Sequence, residues 1–387
     1  MKIGLVIPTT DEQSETFFTT FLNCLTEKGF EIILLPNRIR RWNNKYKVRS
    51  QHKVYQNRVI QKAVMVFVLT NIVLRNFLNV RSFIKLERAD GKSAVEVLKS
   101  TYLCAHILHH RLDWLHFGFG TMVLGKENVA KAIGAKMGVS FRGSDAFIFP
   151  IKNPNCYNNI WHKVDKIHVV SKALENRVKE LSKHEEIIIQ VIVPAVEVKE
   201  HKVLKKEIIS AKKILTIARL HWVKGLEYAI HAMKILDNSG KLYQYDIIGY
   251  GAEYEKLLFL IHDLGLQNKV NLLGVKTHLE TQKLIKEYDI YLQPSLSEGF
   301  SNAVLEAQAN GLLCIVSAVG GLKENIEDGK TGKLVDAYSA IQIALGIQEF
   351  INFSYDEEMS IIKMAKKNIA KKNNLVVHSD SWVLFFK

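Results

Sequence analysis

Two doubly wound α/β domains with parallel sheets, facing a cleft, are the fold class the sequence predicts. Three observations predict it. Short apolar, β-branched runs alternate with segments of helical periodicity, which is the pattern of βαβ units. The alternation comes as two consecutive series, parted by a charged, poorly periodic stretch. The length, 387 residues, suits two domains of ordinary size.

The elements follow in order. "KIGLVIP" (Lys2–Pro8) reads as a strand that ends at a turn. Phe17, Phe18, Phe21, Leu22 and Leu25 then recur at helical spacing, with Ser14 as a candidate cap and Gly29 as the stop. "EIILLP" is a second buried strand. The series resumes with "DWLHFGFG" (Asp113–Gly120), a strand running into a Gly-rich turn. "KENVAKAIGAKMG" is helical, "VSFRGSD" a strand and loop, "KIHVV" a strand, and "SKALENRVKEL" a helix with Ser171 as its candidate cap. "IIIQVIVPAVEV" leads into a linker at 195–210. The second series has the strands "KILTIARL", "YQYDIIGYG", "VNLLG", "DIYLQPS", "CIVSAV" and "GKLV", with helices between them. The expected domains are 1–200 and 201–370, with a C-terminal helix at 371–387 packing back on the first domain.

Composition narrows the class. Hydrophobic residues make up 48% and charged residues 24%, as in a soluble protein with a real core. The four cysteines, Cys24, Cys104, Cys156 and Cys314, form no metal-binding pair and read as reduced, buried thiols in a cytoplasmic setting. The N-terminus turns acidic by Asp11 and does not read as a signal peptide. The longest apolar run, Ala63 to Leu74, is shorter than the ~20 residues a membrane span needs.

The net charge is +14 and it is uneven. Arg38, Arg40, Arg41, Lys45, Lys47, Arg49, Lys53, Arg58, Lys62, Arg75, Arg81 and Lys85 fall in one segment, and no acid lies between Glu31 and Glu87. Trp42, Tyr46 and Tyr55 interleave with these cations. Cations and aromatics beside an apolar run suit an anionic membrane surface, with the protein peripheral at its inner face. A solvated basic loop and a nucleic-acid surface are the alternatives; no nucleic-acid partner is expected.

Ligands of doubly wound sheets bind at the carboxyl ends of strands. Four motifs sit there. In "PSLSEGFSNAVLEAQANG" (Pro294–Gly311), Glu298 lies on a loop and Glu306 in the helix behind it, seven residues apart. A helix N-terminus can hold a diphosphate, and an acid one turn in can accept hydrogen bonds from adjacent ribose hydroxyls. An exposed loop acid and a surface acid are the plain alternative. In "IARLHWVKGLEYAI", Arg219 ends a strand and Lys224 precedes a helix, so both can converge on one pyrophosphate. Gly249 and Gly251 form a Gly-x-Gly turn that either approaches a ligand or simply turns the chain. Gly320, Gly321 and Glu324 form the fourth, with a packing turn as its alternative.

Taken in order, these motifs resemble those of retaining glycosyltransferases of the GT-B fold, specifically glycosyltransferase family 4. The resemblance covers most of 212–335 and extends to "PTTDEQSETFF", "LHFGFG" and "SFRGSD" in the first half. It implies that Arg219 and Lys224 bind the donor diphosphate, that Glu306 holds the ribose, and that Glu298 contacts the donor sugar. It implies that Gly249 and Gly251, with Gly299, Phe300, Ser301 and Asn302, complete the donor site. It makes Glu298 and His116 the catalytic candidates, with His116 either a sugar contact or a packed turn residue. Asp145 is an acceptor ligand or a turn cap. Many family members have His where this chain has Arg142, and a permanent cation cannot act as a base. The Arg142 variant resembles a branch assigned to bacterial exopolysaccharide synthesis.

The chain has no Asp-x-Asp. Charge on Arg219, Lys224 and a helix N-terminus can stabilise a leaving diphosphate, so no metal and no cofactor are expected. The expected activity is a metal-independent, retaining hexosyl transfer from a nucleoside-diphosphate sugar to a bacterial glycan or lipid-linked acceptor. A nucleotide-sugar epimerase or hydrolase of the same fold, and a non-catalytic basic protein of the membrane surface, are the competing readings.

Overall fold

The computed structural model describes residues 1–10, 16–39, 45–183, 186–198 and 211–387. Arg40, Arg41 and Trp42 of the basic segment, most of the expected linker, and the middle of "PTTDEQSETFF" lie outside the described residues. The chain divides into two units, one of 1–170, 174–192 and 379–387, the other of 171–173 and 193–378.

Seven strands make the sheet of the first unit: β1 (Lys2–Thr9), β2 (Glu31–Arg38), β3 (Lys47–Val48), β4 (Trp114–Phe117), β5 (Lys136–Phe141), β6 (Lys166–Val169) and β7 (Ile188–Val191). They run parallel in the order β3-β2-β1-β4-β5-β6-β7. Parallel strands are covered on both faces, which is why they read as unbroken apolar runs rather than alternating ones. Ile3, Leu5, Leu115, Phe117, Val139 and Ile167 are fully buried accordingly. Trp382, Phe385 and Phe386, from the C-terminal helix Leu375–Phe386, close one side of this core. The Trp114 indole N–H donates to the Phe386 carbonyl at 2.7 Å.

The second unit repeats the plan with β8 (Lys212–Ile217), β9 (Tyr243–Ile248), β10 (Val270–Gly274), β11 (Ile290–Gln293), β12 (Leu313–Ser317) and β13 (Lys333–Val335). Its six parallel strands stand in the order β10-β9-β8-β11-β12-β13. In each sheet the first strand lies centrally and the direction of winding reverses beside it, at β1/β4 and at β8/β11. Connections diverge there and leave a crevice at the strand ends.

The described part of the basic segment is not the solvated loop that stood as one alternative. It contains β3 and a helix of 32 residues, Arg58–Ala89, followed by the helix Ala94–Leu108. The first is long and apolar enough to cross a membrane by length and composition, although the apolar run within it had seemed too short. Asn57 starts it, its side chain accepting from the Val59 and Ile60 N–H groups. It kinks at Asn76, whose amide donates to His109 Nδ1 at 2.8 Å. In its last turn Glu87, fully buried, accepts from Lys92 and Asn128. Ser93 and Glu96 form a capping box on the next helix. All four cysteines are free thiols, and Cys24, Cys104 and Cys314 are buried.

Candidate functional site

The loops after β8 and β11 leave the second sheet where its winding reverses. They are stitched together backbone to backbone. Leu296 N–H donates to the Val223 carbonyl at 2.7 Å. Gly225, at φ 61°, lies so close to the Pro294 carbonyl that a Cβ would stand 2.1 Å from its oxygen. This contact sets Lys224 beside Glu298. The Lys224 ammonium pairs with Glu298 Oε2, and the two side chains are only 17% and 16% exposed.

A polar chain runs inward from that carboxylate. Ser295 Oγ donates to Glu298 Oε2 at 3.3 Å, Gln293 Nε2 to Ser295 Oγ at 2.7 Å, and the Tyr291 hydroxyl to Gln293 Oε1 at 2.9 Å. Tyr291, Gln293 and Ser295 are buried, so each polar group needs the partner it has. Sequence reading named Glu298 and missed this support. Gln293 and Ser295 were visible only as the last residues of a strand.

Ser301 caps the helix Asn302–Ala309, its Oγ accepting from the Val304 N–H at 3.3 Å. Asn325 holds Ser301 by both its amide atoms, at 3.1 Å each. The N–H groups of Asn302 and Ala303 have no intrahelical acceptor, so the positive end of the helix is open to an anion. Glu306 follows one turn in. Burial raises its pKa above the usual 4.5, while His278 and a 3.0 Å hydrogen bond donated by Gln282 oppose the shift. Gln282 and His278, one turn apart on the helix His278–Leu284, carried no signal in the sequence. Arg219 is exposed, and its side chain makes no ion pair with a described residue.

Other expected donor residues have structural duties. A Cβ on Gly249 would stand 1.8 Å from the Ala218 carbonyl oxygen, and one on Gly251 2.2 Å from that of Leu220. The Gly-x-Gly turn therefore packs against the strand end that carries Arg219. Gly320 and Gly321 lie as tightly on Glu298 and Gly299, and Gly321 N–H donates to the Glu298 carbonyl at 3.0 Å. The Phe300 ring packs on Leu305, Ala309 and Ile369. Glu324 is occupied by the backbone N–H groups of Lys172 and Ala173, at 2.9 and 2.8 Å.

In the first unit the geometry favours, of the two readings open for each residue, packing for His116 and the turn cap for Asp145. His116 is a strand residue, only 1% exposed, enclosed by Phe21, Trp382, Phe385 and Phe386. Its Nε2 lies 2.8 Å from Ser140 Oγ, which lies 2.8 Å from His168 Nδ1; His168 Nε2 faces the Ile192 carbonyl at 3.2 Å. A carbonyl only accepts, so His168 donates from Nε2 to Ile192, and the Ser140 hydroxyl bridges the two imidazoles. Burial, and Arg142 secondarily, push the His116 pKa down to about 3. This neutral, enclosed ring is placed to pack and not to contact a sugar. Asp145 is buried, with Oδ1 accepting from Thr121 and Oδ2 from the Arg142 N–H at 3.0 Å. Both its oxygens close the turn, so it is a turn cap here. Arg142 is half-buried beside it. Among the described residues, no three His, Cys, Asp or Glu side chains converge as metal ligands.

Two sheets wound in this order, one with a cation–acid pair at its switch point, define the class: the GT-B fold of glycosyltransferases. More particularly, residues 197–368 match the family model for Glycosyl transferases group 1. The WcaL protein of Salmonella typhimurium, named for colanic acid biosynthesis, is 30% identical over 168 residues, which span 42% of this chain and 41% of that one. The WcaL protein of Escherichia coli strain K12 is 24% identical over 95% of both chains. The amylovoran biosynthesis glycosyltransferase AmsK of Erwinia amylovora is 29% identical over 61% of this chain and 60% of its own. Among solved structures, Anabaena HepE in complex with UDP and glucose superposes with a TM-score of 0.72 at 13% identity, covering 99% of this chain and 98% of that one. A glycosyltransferase of Rickettsia africae gives 0.71 at 18%, covering 100% and 97%.

Proposed function

We propose that this protein transfers a hexosyl group, with retention and without a metal, from a nucleoside-diphosphate sugar to a bacterial exopolysaccharide or its lipid-linked precursor. The observation that carries the reading is the Lys224–Glu298 pair at the switch point of the second sheet, within the group 1 match, with Glu306 in the helix that follows and Arg219 exposed just after β8. The names of the WcaL and AmsK relatives support the polymer, and the UDP and glucose held by the HepE structure support the donor class.

Each side chain has a task in this reading. The donor diphosphate competes with Glu298 for Lys224 and takes up Arg219, so the two cations neutralise the charge that grows on the leaving group. The open N–H groups of the helix at Asn302 add a fixed partial charge. Glu306, steadied by Gln282, accepts from the ribose hydroxyls. Glu298, released from Lys224, turns to the sugar. The acceptor hydroxyl attacks from the side of the departing diphosphate, and its proton passes to that phosphate. We place the enzyme in the cytoplasm, peripheral at the inner membrane face, where lipid-linked acceptors are found; no nucleic acid is involved.

The test is a panel of nucleotide sugars, assayed for nucleoside-diphosphate release with and without a lipid-linked glycan extract, in EDTA and in added magnesium. One donor should turn over only with acceptor, equally in both buffers, and give a product of unchanged anomeric configuration. Turnover of none would refute the reading. Full loss in EDTA would refute its metal-free form.

A further inference from the structure

The Arg58–Ala89 helix is apolar on two sides, and only one is used. Val68, Ile72, Val80 and Phe83 are buried, Val68 against Tyr102 and Ala105 of the Ala94–Leu108 helix. The other side carries Val59, Val66, Phe67, Leu74, Phe77 and Leu78, all exposed; Phe67 is 71%, Leu74 80% and Leu78 75% open to solvent. From residue 59 to 78 this stripe runs for about 29 Å at the α-helical rise. A continuous apolar stripe of that length exceeds the scattered single residues normal on a soluble surface and marks a partner.

Charge says which partner. Arg58, Lys62, Arg75, Arg81 and Lys85 are exposed on the same helix, and none forms an ion pair with a described residue. No acid stands between Glu31 and Glu87 to answer them. A second copy of this chain, docked face to face, would bring cations against cations. A bilayer with anionic headgroups answers both features: the stripe enters the acyl boundary while long cationic side chains reach back to the headgroups. A spanning orientation does not fit, because one side of the helix is already packed on protein and Arg75 sits within the apolar stretch.

We propose that the Arg58–Ala89 helix lies in the plane of an anionic membrane and anchors the protein by its Val59–Leu78 stripe. This rests on the peripheral placement above and supplies the surface responsible for it. The six apolar side chains provide the affinity, and the five cations provide selectivity for anionic lipid. Asn76 belongs to the device: the kink at this residue, fixed by its bond to His109, sets the two halves of the helix at an angle.

The experiment uses the full chain with vesicles of phosphatidylcholine, with and without phosphatidylglycerol. Sedimentation should need the anionic lipid and fall steeply with salt. The variant Val66→Ser, Phe67→Ser, Leu74→Ser, Leu78→Ser changes only exposed positions and should melt like the parent, yet lose at least about a hundredfold in partition. Phe67→Trp should shift its emission to the blue and be quenched by brominated lipid. Arg75→Gln, Arg81→Gln, Lys85→Gln should weaken binding to anionic vesicles alone. Unchanged partition of the serine variant, or equal binding to neutral vesicles, overturns the proposal. So does resistance to carbonate extraction, which would mean a span. A dimer that the serine variant dissociates, without lipid binding, overturns it in favour of a self-interface. Nucleoside-diphosphate binding by the same variants, measured without lipid, separates failure of this proposal from failure of the donor site.

Discussion

Lys224 and Glu298 pair with each other, and this makes their substitutions differ in sign. Lys224→Ala removes a charge-assisted contact to the diphosphate and should weaken nucleoside-diphosphate binding by about tenfold or more. Glu298→Gln frees the same lysine, so it should leave that affinity equal or higher while lowering the transfer rate by about a hundredfold. Direct titration beside single-turnover rates checks the pair. Glu306 sets a pH dependence. Burial raises its pKa, so its carboxylate takes up a proton at a higher pH than a free glutamate does. Donor affinity, which uses the ionised acceptor, should decline on acidification from above the usual 4.5, and Glu306→Gln should flatten that profile. Steep decline persisting in Glu306→Gln would assign the effect elsewhere. His116 acts on stability. The unfolded ring binds its proton near the ordinary 6.5, the folded one only near 3, so its stabilising contribution is complete above 6.5 and is lost as pH falls towards 3. His116→Leu should reduce this acid sensitivity in urea melts and leave the turnover of folded enzyme unchanged. A loss of turnover without loss of stability would restore the catalytic role.

At the scale of the element, the chain was legible where its chemistry is local. Buried parallel strands such as β1 and β11 show as apolar runs, and Ser301 as a cap precedes its helix. Glu298, Lys224, Glu306 and Arg219 stand out as candidates because they lie where strand passes to helix. The Arg58–Ala89 helix was not, because its exposed side is as apolar as its buried side and the 3.6-residue contrast is erased. His116 misled for a related reason: a polar residue in β4 looks like the start of a turn, and only the aromatic residues of the distant C-terminus show it to be core. Gln282 needed the fold to bring it to Glu306. The glycines test the element scale. Gly225→Ala cannot keep both its φ and its distance from Pro294, so it should cost about 1–3 kcal/mol and displace Lys224. A melting curve and a nucleotide titration check it; parent-like values in both would show the loop contact to be slack.

On the scale of the whole molecule, the units have separable roles. Residues 379–387 belong to the first unit and complete its core with Trp382, Phe385 and Phe386. Ending the chain before Ser379 should loosen the first unit, seen as early proteolysis there, while nucleotide binding by the second survives. On the proposed reading, the exposed helix of the first unit holds the protein at the membrane and the second unit, where residues 197–368 match the group 1 model, binds the donor. Everything proposed about the reaction depends on that second unit binding a nucleoside diphosphate through the four side chains at the ends of β8 and β11. Titration calorimetry of uridine, adenosine, guanosine and thymidine diphosphates into the full chain, in EDTA, measures this directly. One of them should bind saturably, one per chain, raise the melting temperature in step with its affinity, and bind at least about tenfold more weakly to both Lys224→Ala and Glu306→Ala. No binding by any of the four, or binding that both variants leave intact, would contradict the assignment of the donor site.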